Sequence, residues 1–500
     1  MNSAEPVANR TSLLIAGFLT LIAAGIGFAV RAGLLDVWSQ KYGFTMTELG
    51  QITGGGLLGF GVVILIAGLL IDAVGYKPLM VLALFCHVVS AVMLFAATPV
   101  FNSAGKEACY FLLFWSAFIF AVGNGICEGV INPLTAAIYP EQKTHYLNIL
   151  HAGWPAGLVL GGLIVFLKGS VGWELLLATY LIPTAIYGAI AIKERFPKTS
   201  AQAGAISYGG MFARLIGPFF LLLLVAQACV GYVELGTDSW INKITGGILK
   251  SATLGTALFI YTSLLMTALR FFAGPIVHKI SSLGLLFVSA IIGAVGLYLI
   301  SLGNSIGFMF FAATVYAVGK SFLWPTMLGV VGERFPESAT VGMAFVGFAG
   351  MISAGLLGGP GIGYKQDYFA SQYLEANAPA TYERVRAPND NQFLFFPAIR
   401  GVDGAKAGMI SDDGAAIAAE VEIAGDAITS DDFMGLREQY EWWQANKQFR
   451  EEDNEPVAQA TMHGSRMAIR YTALVPAAMA VLYLLLMAFP APKRETPSSD

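Results

Sequence analysis

One acidic residue, Glu128, interrupts an otherwise uncharged apolar segment that spans residues 111–139. Asn124 and Asn132 lie four residues before and after it, so a helix would place all three side chains on one face. An ionised carboxylate near the centre of a bilayer costs about 2.5 to 3.5 kcal/mol even on lenient insertion scales. Because protonation removes that charge, the pattern predicts a functional carboxyl that takes up and releases a proton.

Two basic residues, Arg31 and Lys320, also interrupt apolar segments. Lys320 shares a helical face with Tyr316 and Trp324, which lie four residues away on either side. If both cations converge with Glu128 on one cavity, Arg31 either pairs with Glu128 or binds a substrate carboxylate or phosphate. Guanidinium geometry suits both roles.

Further polar side chains are candidates for the same cavity. Gln227, Glu234 and Asp238 share one helical face, which predicts a polar lining with Asp238 close to the outer surface. His151, beside Asn148, suits a neutral imidazole that bonds to hydroxyl groups or relays a proton.

A third basic residue, Arg270, lies near the predicted inner end of an apolar segment. We expect it to pair with carbonyls or a carboxylate at an inner gate.

The elements that position these residues are predicted to be transmembrane helices. The chain has 500 residues, of which 56% are hydrophobic and 12% charged, and its mean hydropathy is +0.65. Such a composition indicates an all-α polytopic membrane protein. Twelve blocks are long enough to cross a hydrocarbon core of about 30 Å: 11–35, 48–74, 78–98, 108–139, 145–168, 173–193, 211–245, 251–279, 282–303, 304–334, 338–362 and 467–490.

Several functions are disfavoured. The four cysteines lie in or at the edge of predicted helices, which offers no disulfide framework and no zinc spacing. No nucleophile and base pair and no phosphate loop stands out, so we expect neither an enzyme nor a metal or cofactor. The net charge of -4 disfavours nucleic acid as a partner.

The basic residues predict the orientation. With both termini in the cytoplasm, the inner segments hold eleven Lys and Arg residues and the short outer loops hold five. This asymmetry follows the positive-inside rule. No cleavable signal peptide is expected, because the first apolar block exceeds signal length. We therefore expect a multi-pass protein of the cell (inner) membrane.

The predicted halves differ in one large insertion. The sequence predicts an N-terminal six-helix bundle in residues 1–195, a cytoplasmic linker in 196–210 and a C-terminal bundle in 211–490. An acidic extracytoplasmic insertion at 364–465 interrupts the second bundle and ends in a predicted helix at 429–449. It is either a solvated cap or a lid that gates substrate or binds a partner. Residues 491–500 form a cytoplasmic tail.

Proline motifs and glycine-rich segments recur in the same order in the two halves. Asn132-Pro133 and Pro140-Glu141 correspond to Trp324-Pro325 and Pro336-Glu337, and a glycine-rich segment follows each (153–162 and 347–359). A transporter built from internal repeats places its binding site between the halves, often where Gly or Pro interrupts a helix.

The motif Gly68-x-Leu70-x-Asp72-x-x-Gly75-x-Lys77 resembles the loop signature of the major facilitator superfamily, with Ala73 and Tyr76 at positions where the family has basic residues. The resemblance implies that Asp72 caps a helix end and that Asp72 and Lys77 act in gating. The alternative is plain turn chemistry with a capping Asp.

Three further motifs resemble the fucose, galactose and glucose:proton symporter branch of that family. They are Cys127-Glu128-Gly129-Val130-Ile131-Asn132-Pro133 with Asn148 and Gly157, Val230-Gly231-Tyr232-Val233-Glu234-Leu235-Gly236 with Trp240, and Trp324-Pro325-Thr326. The resemblance implies that Glu128 couples protons and contacts sugar, and that Asn132 and Asn148 supply amides.

The pocket departs from the branch at three positions. The family's first-helix Asp falls near Leu34, and the Gln and Asn of its fifth helix fall on His151 and Trp154. The scaffold is thus expected to be shared while the pocket chemistry differs, with Trp154 or Trp324 as an apolar platform for a sugar ring.

We therefore expect a monomeric secondary transporter that moves a small polar solute, a sugar or sugar derivative, by alternating access coupled to protons. Its partners are the small-molecule substrate, protons and the lipid bilayer. Two alternatives remain: a transporter of an organic anion or sugar acid recognised by Arg31 and Lys320, and a nontransporting membrane sensor that works through its outer segment.

Overall fold

The computed structural model describes residues 9–34, 37–38, 42, 46–168, 170–199, 208–388, 390, 392–429 and 434–489. Within these residues the chain is helical, and its only extended pairings are two isolated bridges, Lys168 with Val171 and Arg386 with Val402. Helices suit long apolar blocks because each satisfies its backbone hydrogen bonds internally, as a bilayer requires. The expected all-α membrane architecture is confirmed.

The helices of the first half follow the predicted blocks closely. They are α1 (Arg10–Gly33), α2 (Met46–Val74), α3 (Tyr76–Phe95), α4 (Ala97–Ile138), α5 (Lys143–His151), α6 (Gly153–Val165), α7 (Trp173–Ala178) and α8 (Leu181–Lys193). Helix α4 has one non-helical residue, Gly105, with φ of 80°, a conformation that glycine adopts without strain.

The second half contains more interruptions. Its helices are α9 (Tyr208–Leu215), α10 (Pro218–Gly231), α11 (Thr237–Ile248), α12 (Ala252–Arg270), α13 (Ala273–Ile280), α14 (Ser282–Ser301), α15 (Ile306–Lys320), α16 (Leu323–Arg334), α17 (Ala339–Ser353) and α18 (Gly359–Asn377). Two single π-turns, Tyr232–Gly236 and Ala354–Gly358, join α10 to α11 and α17 to α18.

Eleven helical segments among the described residues are long and apolar enough to span a membrane. A further apolar helix, Gly59–Val74, is shorter and lies within α2, where the second span was predicted. The predicted linker lies largely outside the described residues, which omit 200–207, and the predicted tail at 491–500 lies wholly outside them.

Three membrane segments break just before a proline. Pro155, Pro275 and Pro325 each occupy the third position of α6, α13 and α16. Proline has no N–H and cannot bond to the carbonyl four residues earlier, which interrupts the helix there. Each proline therefore leaves the carbonyl four residues earlier without its helical N–H donor.

The two halves close together on the face that holds the chain start. We call this the terminal face, because Asn9 bonds there to Glu194 at 2.6 Å. Lys143 Nζ donates to the carbonyl of Gly332 at 2.7 Å, and Thr144 Oγ1 donates to Glu333 Oε1 at 2.5 Å. These bonds join α5 of the first half to α16 of the second. They seal the terminal face.

The insertion is a helical body on the opposite face. It comprises α19 (Pro379–Val385), α20 (Gly404–Ser411), α21 (Ala415–Ala424) and α22 (Met434–Asn446), and α23 (Arg450–Thr472) leads back to α24 (Leu474–Ala488). Helices α18 and α23 run straight through the predicted boundaries at 364 and 465. The predicted 429–449 helix is α22 with a short 3-10 turn, Lys447–Phe449, while residues 430–433 lie outside the described part.

We call α18 and α23 the stalk of the insertion, and one ion pair with a buried carboxylate holds α19 to it. Arg384 donates to both oxygens of Asp453, at 2.5 and 2.8 Å, and Thr381 donates to the same carboxylate at 2.7 Å. Asp453 is buried. The acidic insertion is thus anchored to α23 by charge-assisted hydrogen bonds.

Candidate functional site

A cavity of about 700 Å³ lies between the two halves. This volume is typical of small-molecule sites. Its polar lining consists of Glu128, His151, Glu234, Asp238, Ser239, Lys243 and Arg270. Its aromatic lining consists of Phe28, Phe60, Trp154, Trp240, Phe259 and Trp324. The cavity extends along α11 and the start of α18, on the side away from the terminal face.

Glu128 is held by one amide. Asn132 Nδ2 donates to the Glu128 backbone carbonyl at 2.9 Å and to Glu128 Oε1 at 3.2 Å. His151 Nε2 lies 2.8 Å from Asn132 Oδ1 and 3.6 Å from Glu128 Oε1. Because the amide oxygen only accepts, His151 carries its hydrogen on Nε2 in this arrangement. The structure brings together these three predicted residues.

Arg270 joins the two halves at the base of the cavity. Its Nη2 donates to Glu234 Oε1 at 2.7 Å, its Nη1 to the His151 carbonyl at 2.5 Å and its Nε to the Ser321 carbonyl at 2.7 Å. The two carbonyls lie four residues before Pro155 and Pro325. Arg270 therefore bonds to the carbonyls that the prolines leave free.

Arg270 makes the expected bonds to carbonyls and a carboxylate, but it makes them at the base of the cavity and not at the terminal face. The helix breaks after Arg270 instead of continuing to the terminal face, so the guanidinium reaches Glu234 in the cavity wall. Glu234 Oε2 is buried and has no hydrogen-bond partner within the described residues.

Lys320 does not line the cavity. Its side chain is 0% exposed, and Nζ donates to both oxygens of Asp238, at 2.5 and 2.7 Å. The Tyr316 ring lies 5.2 Å from the same nitrogen. Asp238 lines the cavity while Lys320 stands behind it. The expected convergence of Lys320 with Glu128 is therefore wrong.

Arg31 is also absent from the described cavity wall, contrary to expectation. Its guanidinium lies 4.8 Å from the Phe120 ring centre, inside the first bundle. Asn124 faces the same interior, where its Oδ1 lies 3.0 Å from His87 Nε2. His87 Nδ1 lies 2.8 Å from the Tyr187 hydroxyl. The four-residue spacing of Asn124 from Glu128 does not bring the two side chains to one surface.

Two further amides stand below the cavity. Asn148 donates to Thr326 Oγ1 at 3.0 Å, which links α5 to α16. Gln227 is buried, and neither atom of its amide has a partner among the described residues. Neither residue lines the cavity.

The predicted gating residues of the first half lie at the terminal face. Lys77 Nζ donates to the carbonyls of Ile192 and Glu194, at 2.6 and 3.1 Å. Asp72 is buried at the end of α2, and neither of its carboxylate oxygens has a partner within the described residues. Asp72 and Lys77 are therefore not an ion pair in this conformation.

Sequence reasoning missed several lining residues. Lys243, Ser239 and Phe259 were not singled out, and Trp240 was noted only as part of a motif. Ser239 directly follows Asp238 and Lys243 lies four residues after Ser239, so these two residues share a different helical face, which the spacing of Glu234 and Asp238 does not include.

Comparison with known proteins identifies the family. The family model described as Major Facilitator Superfamily matches residues 13–359. A Bacillus subtilis (strain 168) protein, named "Putative niacin/nicotinamide transporter NiaP", is 22% identical over 68% of this chain and 84% of its own length. The L-fucose-proton symporter of Escherichia coli (strain K12) is 26% identical over 28% of this chain and 32% of its own length.

The fold is similar to that of a solved transporter. The crystal structure of FucP in the outward conformation superposes with a TM-score of 0.60 at 18% identity and covers 73% of this chain and 93% of FucP. At this identity the similarity concerns the fold. The family match extends over both halves and the cavity between them, and we conclude that the chain is a transporter that belongs to the Major Facilitator Superfamily.

Proposed function

We propose that this transporter moves a small polar solute, a sugar or sugar derivative, together with protons. The proposal rests on the ion pairing of the three acidic residues in the described cavity wall, Glu128, Glu234 and Asp238. Glu234 pairs with Arg270 and Asp238 pairs with Lys320. Glu128 has no Lys or Arg nitrogen within 4 Å in the described part of the chain.

The charge of the cavity then depends on one proton. Two ion pairs are neutral, so protonation of Glu128 removes the remaining unpaired negative charge of the wall. Moving an uncompensated charge through a low-dielectric region is unfavourable, and protonation permits the reorientation that the bare carboxylate opposes. The membrane potential adds about 2.3 kcal/mol per charge per 100 mV.

The lining suits a hydroxylated ring. Glu234 Oε2 is an acceptor without a partner among the described residues, and His151 and Ser239 offer further polar atoms. Trp154, Trp240 and Trp324 supply flat apolar surfaces. Sugar sites combine these two kinds of surface, and the similarity to an L-fucose-proton symporter supports the same substrate class.

A second candidate is a small organic anion. Arg31 and Lys320 do not line the cavity, so the Lys and Arg residues available for it among the described residues are Lys243 and Arg270. Lys243 is the better placed of the two, because Arg270 already pairs with Glu234. The similarity to the niacin/nicotinamide protein supports this alternative.

We also propose that the terminal face is cytoplasmic, since the excess of Lys and Arg lies in the segments on that side. With this orientation the cavity is directed outward. We further propose that the protein is a monomer of the cell (inner) membrane. In this conformation Asp72 and Lys77 belong to the closed inner face.

The test is uptake into proteoliposomes with an imposed pH gradient. Glu128→Gln should abolish concentrative uptake and retain exchange of labelled substrate, because the carboxylate that opposes reorientation is permanently absent. Glu420→Gln, an exposed residue of the insertion, is the matched control and should behave as the unsubstituted protein. Equal gradient-driven uptake by the Glu128→Gln variant would refute proton coupling at this site.

The substrate class is tested separately by binding. Neutral sugars, the corresponding uronates, alditols and nicotinate are compared for thermal stabilisation of the purified protein. Lys243→Gln should leave stabilisation by a neutral sugar unchanged. If only the acids stabilise the protein, and Lys243→Gln removes that effect, the anion alternative replaces the sugar.

A further inference from the structure

An apolar turn projects from the insertion beside α18. The N–H of Phe396 donates to the carbonyl of Phe393 at 3.0 Å, which closes a β-turn over residues 393–396. Leu394 is 59% exposed and Phe395 is 85% exposed. Leu394 has φ of 53°, in the left-handed region that a leucine rarely adopts. The tip therefore combines backbone strain with two large apolar side chains that the described protein does not cover.

The turn lies at the level where the apolar helices end. Lys365 of α18 donates to Thr472 Oγ1 at 2.6 Å, one residue before the break that precedes α24. Arg470 Nε donates to Ser301 Oγ at 3.4 Å, at the end of α14. Charged residues thus meet the ends of the apolar helices α14 and α24 at one height, which marks a boundary between apolar and polar surroundings.

A continuous series of rings connects this boundary to the turn. Tyr471 stacks on Phe369 at 5.0 Å between ring centres, and Tyr368 contacts Phe369 at 5.1 Å. Tyr364 then lies 5.9 Å from Tyr368 and 5.8 Å from Phe396. Aromatic side chains concentrate at membrane–water interfaces, where an apolar body and a polar edge are both accommodated.

The turn is separate from the cavity. All described residues that line the cavity precede residue 361, so none comes from the insertion. The Tyr364 hydroxyl donates to the carbonyl of Pro397 at 2.7 Å and fixes the turn to α18. The turn therefore contributes no described residue to the cavity wall.

We propose that residues 393–396 insert into the interfacial layer of the lipid leaflet on the opposite face. Leu394 and Phe395 enter the acyl boundary, and the ring series from Tyr471 to Phe396 continues the aromatic belt of the membrane helices into the insertion. Burial of these side chains in lipid removes apolar surface from water. The inference is independent of which solute is transported.

The experiment compares two residues of equal exposure within the insertion. Ile423, on α21, is 86% exposed and Phe395 is 85% exposed. Phe395→Cys and Ile423→Cys are spin-labelled in a background in which Cys86, Cys109, Cys127 and Cys229 are replaced by alanine. Accessibility to oxygen and to a water-soluble nickel chelate is measured in lipid nanodiscs.

We expect the label at 395 to be severalfold more accessible to oxygen than to the nickel chelate, and the label at 423 to show the reverse. Equal nickel accessibility at both positions would overturn the proposal. Protection of position 395 from both reagents would also overturn it, because it indicates a protein partner.

A second pair of variants keeps the native cysteines, in case their replacement prevents folding. Phe395→Trp and Ile423→Trp are compared with the unsubstituted protein in bilayers that contain lipids with a nitroxide near the headgroup end of the acyl chain. Additional fluorescence quenching is expected for Phe395→Trp alone. Equal quenching of the two variants would contradict lipid insertion.

Discussion

The guanidinium of Arg270 bonds to the backbone carbonyl of His151 at 2.5 Å, so a side chain of the second half completes a broken helix of the first. The same guanidinium completes the broken helix at Ser321, with a bond of 2.7 Å. Pro155 and Pro325 leave these two carbonyls without a helical donor, one in each half. One cation therefore satisfies a helix break in each half, and its remaining bond holds Glu234 in the cavity wall.

Replacement of Arg270 by methionine should strongly destabilise the protein. The substitution leaves Glu234 buried without its cation and removes the donors to two carbonyls, and breaking a buried pair costs about 3 to 5 kcal/mol. Thermal unfolding in detergent measures the effect. Arg437→Met, in the insertion, is the control because its recorded hydrogen bond, to the Thr429 carbonyl, is exposed. Similar melting temperatures for the two variants would show that the Arg270 bonds contribute little.

Replacement of Pro325 by alanine should partly rescue Arg270→Met. Alanine supplies the N–H that proline lacks, so the Ser321 carbonyl regains a donor within its own helix. The double variant should melt above Arg270→Met by an amount that exceeds the effect of Pro325→Ala alone. Pro456→Ala lies inside α23, remote from Arg270, and should give no such rescue. Additive effects of Pro325→Ala and Arg270→Met would contradict the shared carbonyl.

The Lys320 and Asp238 pair predicts a non-additive pair of substitutions. Lys320→Met alone leaves the Asp238 carboxylate largely buried without its cation, at a cost of about 3 to 5 kcal/mol. Lys320→Met with Asp238→Asn removes both charges and should recover most of the lost stability. A double-mutant cycle on melting temperatures tests this expectation. If the double variant is no more stable than Lys320→Met, the pair is not the reason for the loss.

The stalk of the insertion should depend on Arg384. Arg384→Met leaves the Asp453 carboxylate without its charged donor. The free energy of local opening of α19 should fall by about 2 kcal/mol. Hydrogen exchange of α19 and the start of α23 measures that opening. Arg386→Met is a close control, because its ion pair with Glu383 is on the surface and contributes little. Equal exchange in the two variants would contradict a structural role for the Arg384 bonds.

Alkaline pH should not weaken the contact between Arg384 and Asp453. The hydrogen bond with Asp453 raises the pKa of Arg384 above its ordinary value. A raised folded-state pKa contributes stability that is present below the unfolded pKa and is lost only as pH rises through the folded pKa. Exchange rates, corrected for intrinsic pH dependence, should therefore stay constant between about pH 7 and pH 10. Opening within that window would contradict the assignment.

The helices were predictable because length and hydropathy determine them, and the cavity residues were predictable only in part. Spacing places Asn124 and Glu128 on one side of a helix, but it does not say which neighbour that side meets. The structure places Asn124 against His87 and Glu128 against the second half. Both Lys320 and Lys243 are basic, so charge alone does not show that Lys243 lines the cavity while Lys320 lies behind its wall.

The position of Arg270 was hidden for a different reason. Pro275 is visible in the sequence. The position of Arg270, however, depends on three helix breaks, before α6, α13 and α16, that lie close together in the fold. A long apolar block predicts one helix through the membrane, whereas α12 ends at Arg270 and α13 begins at Ala273. Two of the three partners of its guanidinium are backbone carbonyls, which carry no sequence signal.

The long helices α18 and α23 give the insertion a practical use. Both helices run from the membrane region into the folded insertion. A transporter of two similar bundles is hard to orient in electron micrographs, since little protrudes from the lipid. Here the insertion is a natural fiducial that marks one half and one face of every particle, and no antibody fragment is needed to distinguish them.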